Sequence, residues 1–272
     1  MLRVDFPLRE MTEVGGASIA MVLLATAIEL LAPRTRYTWR ERARGLCFFL
    51  IFGIVIGIPL HRVWLALWEV LGVKPVIDLY LDRVFGWAGW GAPALEIIAA
   101  VLISDFFLYW YHRIEHVALW RFHALHHSVE DLHALSNYGH PLEDAIRLFL
   151  MVGPFSLLNL PPQPAALALF IGWKESFIHS PTSASLGPLR YVLVDNVFHR
   201  IHHSRHPRHF DRNFGIITPI WDIVFGTAYF PANDEWPETG VDGVLEPKTL
   251  TDYALFPVAR FWTRKPLVQA AE

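Results

Sequence analysis

The sequence predicts an all-α protein: an integral membrane helical bundle of about three spans plus a helical hairpin, with a cytoplasmic cap of histidine-rich helices. Three observations carry that expectation. The 272 residues are 53% hydrophobic and 18% charged, with mean hydropathy +0.32, against roughly 25% charged residues in ordinary soluble domains. The apolar residues gather in four stretches, near 16–32, 46–71, 92–111 and 146–178. And of 14 histidines, all but His61 lie between His112 and His209.

Each stretch has its own signature. The first ends at Pro33, carries Glu29 and has no small-residue cleavage site after it, so it reads as a retained membrane segment. The second, from Gly45, is interrupted at Pro59, His61 and Arg62. It is either one tilted span or a span followed by an interfacial piece. The third contains Glu96 and Asp105 and ends in aromatics, Phe106 to Tyr111, the residue types that gather at the membrane–water interface. The fourth is split by Leu160-Pro161-Pro162-Gln163-Pro164 into two arms, which suits a hairpin that enters the bilayer and returns.

Charge sets the orientation. Arg34 to Arg44 holds five arginines and one Glu, so the loop between the first two spans is predicted on the cytoplasmic side. Counting crossings from there puts His112 to His140, and His179 to His203, on that same face. Residues 1–95 are then membrane-anchoring helices, 96–230 the histidine-bearing domain and 231–272 a cytoplasmic tail. A net charge of −3, without a basic aromatic stripe, excludes nucleic acid as a partner. The single cysteine, Cys47, excludes an internal disulfide and Cys₂His₂ zinc binding, and reads as a buried, inert thiol.

The histidines form three tight groups: His112 with His116, then His123, His126 and His127, then His199, His202 and His203. Residues three and four apart share a helix face, so each group can aim imidazoles at one point. Adjacent histidines splay by about 100°, so His126 and His127 can serve two metals. His140 and His179 are further candidate ligands, whereas His133, His206 and His209 read as loop residues and His61 as structural. Eight to ten imidazoles exceed what one ion holds, and imidazole suits Zn, Cu, Fe and Ni. Asp105, Glu143, Glu175 and Asp195 stand at spacings that would let them support ligating imidazoles, and Glu175 is also a possible direct ligand. His112-Arg-Ile-Glu-His116 also matches the inverted zinc-peptidase signature His-x-x-Glu-His, which leaves six other clustered histidines without a role. A metal transporter would need polar residues through its spans, and a purely structural protein would not need the paired motifs.

DFFLYWYHRIEH, LWRFHALHHS, FHRIHHSRH and NFGIITPIWDIVFGT resemble the fatty acid hydroxylase / sterol desaturase superfamily over about residues 100–230. The resemblance implies a fatty acid hydroxylase-like catalytic domain over 96–230. Its implied cofactor is a non-haem centre of two Fe ions, ligated by His112, His116, His123, His126, His127, His179, His199, His202 and His203, with His140 in a recurrent His-Pro element. O2 is the implied co-substrate, and a sterol, acyl or related membrane lipid is hydroxylated or desaturated. Asn213-Phe214-Gly215 and Trp221 to Thr227 match the closing segment of the family. Some relatives have a second histidine where this chain has Glu175. No haem, flavin or ferredoxin-type motif is present, so electrons are expected from a separate electron-transfer protein. The rival from another class is a zinc-dependent membrane hydrolase.

Overall fold

A computed structural model describes residues 8–35, 38–80, 91–159, 164–232 and 234–257, and they are mostly helical. Helix α1 covers Leu8–Leu31. Thr38 starts the next helix by a reciprocal cap: its hydroxyl accepts the Glu41 N–H at 3.4 Å and the Glu41 carboxylate accepts the Thr38 N–H at 2.8 Å. That helix runs without a break through α2 (Trp39–Phe48), a π-helical segment (Phe49–Gly57) and α3 (Ile58–Val70). Pro59 does not interrupt it. The proline falls where the π-helical segment gives way to α3, an irregularity in the hydrogen-bond ladder of the kind that accommodates a proline, and the second apolar stretch is one continuous element.

After a short strand, β1 (Ile77–Asp78), helix α4 spans Ala92–Val117. The helices over 39–70 and 92–117 are long and apolar enough to cross a membrane, and Gly15–Leu31 is a shorter apolar helix. Their outer faces expose Val55, Ile56 and Val63, and Leu95, Ile97 and Ile98. Cys47 is on such a face and is exposed, against the expectation of burial, because its neighbour Phe48 takes the inward position of that turn.

Among the described residues the remaining α-helices are α5 (Trp120–His127), α6 (Pro141–Ser156), α7 (Pro164–Ile178), α8 (Asn196–His202), α9 (Ile220–Val224) and α10 (Leu250–Ala254). The two arms of the expected hairpin, α6 and α7, pack mainly on other helices. α6 lies on α3 and α7 on α1, with Trp68 stacked on Phe149 at 5.4 Å. A parallel pairing of β1 with β2 (Leu158–Asn159) ties the end of α6 to the segment after α3. The proline-rich break at 160–163 lies outside the described residues.

Two apolar clusters bracket the histidines. Ala124 and Leu125 of α5 join Phe48, Tyr138, Val244, Tyr253 and Phe256 in one. Phe177 and Ile178 of α7 join Val194 and Phe198 in the other. The segment after Phe230 therefore does not stand apart as a tail within its described part. Val244, Tyr253 and Phe256 are buried, with Tyr253 stacked on Phe52 at 4.4 Å. Glu29 in α1 is likewise accounted for: its buried carboxylate pairs with Arg42 and accepts from the Ala134 N–H at 2.8 Å and the Ser180 hydroxyl at 3.3 Å. A charge inside an apolar segment is tolerated when satisfied in this way.

Candidate metal centre

Helix α5 turns Ala124 and Leu125 toward the first apolar cluster, which leaves His123, His126 and His127 facing α4 and α8. Asp195 caps α8, accepting the Phe198 N–H at 2.9 Å, and Phe198 packs into the second cluster. His199, His202 and His203 are thereby turned inward. The imidazoles sort into two sets whose nitrogens lie within 4.8 Å of one another. One holds His112, His116, His123, His127 and His202, the other His126, His179, His199 and His203. Each adjacent pair is divided: His127 and His202 go to the first set, His126 and His203 to the second. All nine are buried or nearly so.

The contacts within each set run between Nε2 atoms. In the five-histidine set His116 approaches His127 at 3.1 Å and His202 at 3.3 Å, and His127 approaches His123 at 3.1 Å. In the four-histidine set the spacings are 3.2 Å from His179 to His126, 3.1 Å from His199 to His179 and 3.2 Å from His203 to His199. Nitrogens bound to one ion at about 2.0–2.1 Å stand roughly 3.0–3.4 Å apart. The other ring nitrogens decide the tautomers. Nδ1–H of His112 donates to the Phe214 carbonyl at 2.9 Å, that of His202 to the Arg212 carbonyl at 2.8 Å and that of His179 to the Glu175 carbonyl at 2.6 Å. A carbonyl only accepts, so these three rings carry their proton on Nδ1 and turn a bare Nε2 lone pair inward. Lone pairs converging in a buried space repel unless a cation sits among them, so the donor set fits two metal ions.

Electrostatics agree. Burial first, and then neighbouring imidazoles, hold His123, His126, His127, His199, His202 and His203 well below the usual histidine range. Burial lowers His179 to about 4. Neutral imidazole is the form that binds metal.

The expected supporting carboxylates divide. Glu143 accepts the His123 Nδ1–H at 2.7 Å, burial pushes its carboxyl up, and Glu115 hydrogen-bonds to it. Glu115 stands 3.8 Å from that same Nδ1, on the side of the ring away from the Nε2 convergence, and so not where a peptidase general base would stand. Glu175 supports His179 through its backbone, while its carboxylate accepts from Asn137 at 3.0 Å. Asp195 caps α8 and pairs with Arg190 at 3.1 Å without touching an imidazole. Asp105 acts one layer further out, accepting the Ile217 N–H, Thr218 N–H and Thr218 hydroxyl at 2.9, 2.9 and 2.6 Å.

His140 belongs to neither set. Its Nε2–H donates to the Ala254 carbonyl at 3.3 Å and its Nδ1 accepts the Leu142 N–H at 3.2 Å, so both nitrogens are satisfied within the protein. His133 is buried in the loop after α5 and His209 in a short 3-10 helix, Pro207–His209. His209 bonds to Ser204 at 2.8 Å, and His133 Nδ1 accepts the Leu135 N–H at 3.2 Å.

The closing segment supplies what the side-chain pattern did not announce. Asp222 accepts the Phe214 and Gly215 N–H groups at 2.8 and 2.7 Å, fixing the carbonyl that orients His112. Asn213 holds a left-handed backbone, φ 60°, and its amide donates to the Phe198 and Tyr229 carbonyls, both at 2.8 Å. The Asn-Phe-Gly and Trp-Asp elements were the signal for this support.

A cavity of about 250 Å³ opens onto His112, His123, His126, His179 and His199. It extends past Glu115, Glu143 and Arg147 to Met21, Phe49, Phe52 and Gly53.

Residues 97–227 match the fatty acid hydroxylase family. The chain is similar to an ornithine lipid hydroxylase of Rhizobium tropici, 33% identical over 165 residues that cover 58% of this chain and 49% of that protein. It is similar to alkylglycerol monooxygenase of Homo sapiens, 31% identical over 171 residues, covering 60% and 38%. A very-long-chain aldehyde decarbonylase of Arabidopsis thaliana is 22% identical over 256 residues, covering 75% and 39%. The chain thus spans about half or less of the length of these relatives. No solved structure matches it.

Proposed function

Residues 97–227 belong to the fatty acid hydroxylase family, and from that premise we propose that the chain is an O2-dependent lipid hydroxylase or desaturase that works with two non-haem irons. The carrying observation is the convergence of Nε2 atoms at 3.1–3.3 Å in two buried sets. His112, His116, His123, His127 and His202 would hold one iron, and His126, His179, His199 and His203 the other. Bound there, iron supplies the redox chemistry that couples O2 reduction to oxidation of a lipid C–H bond. The chain's own part is fixed in its fold. Backbone carbonyls of Phe214, Arg212 and Glu175 lock tautomers and ring planes, Glu143 orients His123, and the two apolar clusters exclude bulk water.

The membrane reading rests on the apolar helices. Three spans, α1, the helix over 39–70 and α4, followed by α6 and α7 as a hairpin, would put the metal centre on the cytoplasmic face, with residues 96–230 as the catalytic unit. The likeness to an ornithine lipid hydroxylase and an alkylglycerol monooxygenase supports a membrane lipid as substrate, and electrons would come from a separate protein. The test is lipid-dependent O2 uptake by the purified, iron-loaded chain given a chemical reductant, with oxidised lipid identified by mass spectrometry. Uptake that tracks lipid oxidation supports the reading. Lipid hydrolysis by a zinc-loaded chain without O2 would replace it with a hydrolase.

A further inference from the structure

Asp105 lies in the apolar part of α4, one layer out from the imidazoles, so a buried carboxylate there needs another reason. It stands on the membrane side of the aromatic belt, Phe106 to Tyr111, in a helix that starts at Ala92. A crossing of about 20 residues from Ala92 ends near Tyr111. Asp105 is then roughly 9 Å short of that end, at 1.5 Å per residue. Whatever this carboxylate holds is held at bilayer depth. It holds the turn before α9, through the Ile217 and Thr218 N–H groups and the Thr218 hydroxyl.

The rest of this segment is laid along α4 at neighbouring levels. The Trp221 ring meets Phe106 edge-on at 4.9 Å, Phe225 stacks on Tyr109 at 5.4 Å, and the Thr227 hydroxyl bonds to the Tyr109 hydroxyl at 3.0 Å. The Asn213 N–H donates to the Thr227 carbonyl at 3.1 Å and closes the neck. The chain thus leaves the histidine level at Phe214, whose carbonyl meets His112, descends to Asp105 and climbs back beside Tyr109. Its backbone is provided for. The Asp222 carboxylate accepts the Phe214 and Gly215 N–H groups, and the Asp222 carbonyl those of Thr227 and Ala228, at 2.7–3.0 Å. Non-helical backbone at membrane depth requires partners of this kind within the protein. The side chains turned outward are apolar instead: Ile223 and Val224 are 52% and 60% exposed, and Ile220 and Phe225 are exposed beside them. Phe225 packs at 5.0 Å on Trp110 of α4, which is exposed too. An exposed apolar patch marks a contact with a protein or a membrane, and its depth on α4 decides for the membrane.

We propose that residues 217–225 form a re-entrant membrane element, with Ile220, Ile223 and Val224 seated against the acyl chains of the bilayer. This placement rests on α4 crossing the membrane. It gives two buried carboxylates one purpose: Asp105 fixes the depth of the element, and Asp222 ties it to the segment whose carbonyl orients His112. The lipid and the five-histidine set are thereby kept at a set separation, the rise of α4 from Asp105 to His112, about 10 Å.

The experiment uses the full chain with the exposed Cys47 changed to Ser, reconstituted in phosphatidylcholine vesicles. Ile223→Cys, Val224→Cys, Ile98→Cys and Asp242→Cys each carry one nitroxide label at an exposed position. Power-saturation EPR compares collisions with O2, which concentrates among acyl chains, and with a water-soluble nickel chelate. The label at 98, on the outer face of α4, reports the span, and the label at 242 reports water. O2 should prevail over nickel at 98, 223 and 224, and nickel over O2 at 242. Nickel prevailing at 223 and 224 while O2 prevails at 98 overturns the proposal and leaves the span standing. Nickel prevailing at 98 removes the membrane reading of α4 itself, and the proposal with it. Access of neither probe to 223 and 224 overturns the proposal too, and dipolar broadening between labels would then assign this face to a second copy of the chain.

Discussion

The two histidine sets draw on the same three sequence motifs but are held in different ways. In the five-histidine set the outer nitrogens are anchored: His112 and His202 on carbonyls of the 212–214 segment, His123 on Glu143. In the four-histidine set His179 is anchored on the Glu175 carbonyl and His126 on the Tyr138 backbone, while the Nδ1 atoms of His199 and His203 are buried without a protein partner among the described residues. Ligands whose planes are fixed by a second hydrogen bond are pre-oriented and more basic. On the proposed two-iron reading, the difference teaches that the five-histidine position is the more organised before metal arrives and that the four-histidine position would be completed by it.

The largest effect comes from dividing an adjacent pair. His127→Ala should empty the five-histidine position and His126→Ala the four-histidine position, each cutting lipid oxidation by more than about 100-fold. Metal analysis of the two variants should show each retaining the other ion. Loss of both ions from either variant would mean a single shared site.

Next is Glu143→Gln, which keeps the shape but weakens the acceptor for His123. Metal affinity should fall about 10–100-fold at the five-histidine position alone, read by competition with a chelator. A matching fall at the four-histidine position would break the comparison.

Acid sharpens it further. In the metal-free chain His123, His126, His127, His199, His202 and His203 are held below their unfolded value by burial, with His179 at about 4. The unfolded chain therefore binds more protons as pH falls below the usual histidine range, and their contribution to stability, complete above that range, is lost toward pH 4. The thermal midpoint of the metal-free chain should drop across that window. A midpoint unchanged there would contradict the burial of neutral imidazoles.

The smallest effect tests the anchor's support. Asp222→Asn keeps the size of the side chain that bonds Phe214 and Gly215, and should cost about 1–3 kcal/mol of stability while slowing metal uptake at the five-histidine position first.

Much of the centre was legible because helices convert spacing into direction. His-x-x-His-His on a helix has to splay its adjacent pair, and that splay is what assigns His126 and His127 to different sets. The anchors were harder to read. Phe214, Arg212 and Glu175 act through backbone carbonyls, which any residue supplies, and Asp105 acts through an intervening turn. His140 looked like its neighbours in sequence, yet both its nitrogens are satisfied by backbone groups from Leu142 and Ala254. The π-helical run FLIFGIVIG is uniformly apolar, so no periodicity marks its register. The docking of Val244, Tyr253 and Phe256 was hidden by the polar residues between them, which reads as a tail when composition alone is weighed.

The most direct measurement is metal stoichiometry with Mössbauer spectroscopy on the iron-loaded, detergent-purified chain. Two divided sets predict about two irons per chain in two distinguishable environments, the four-histidine iron leaving first on chelation. A single zinc per chain, with no iron taken up on reconstitution, would contradict the account.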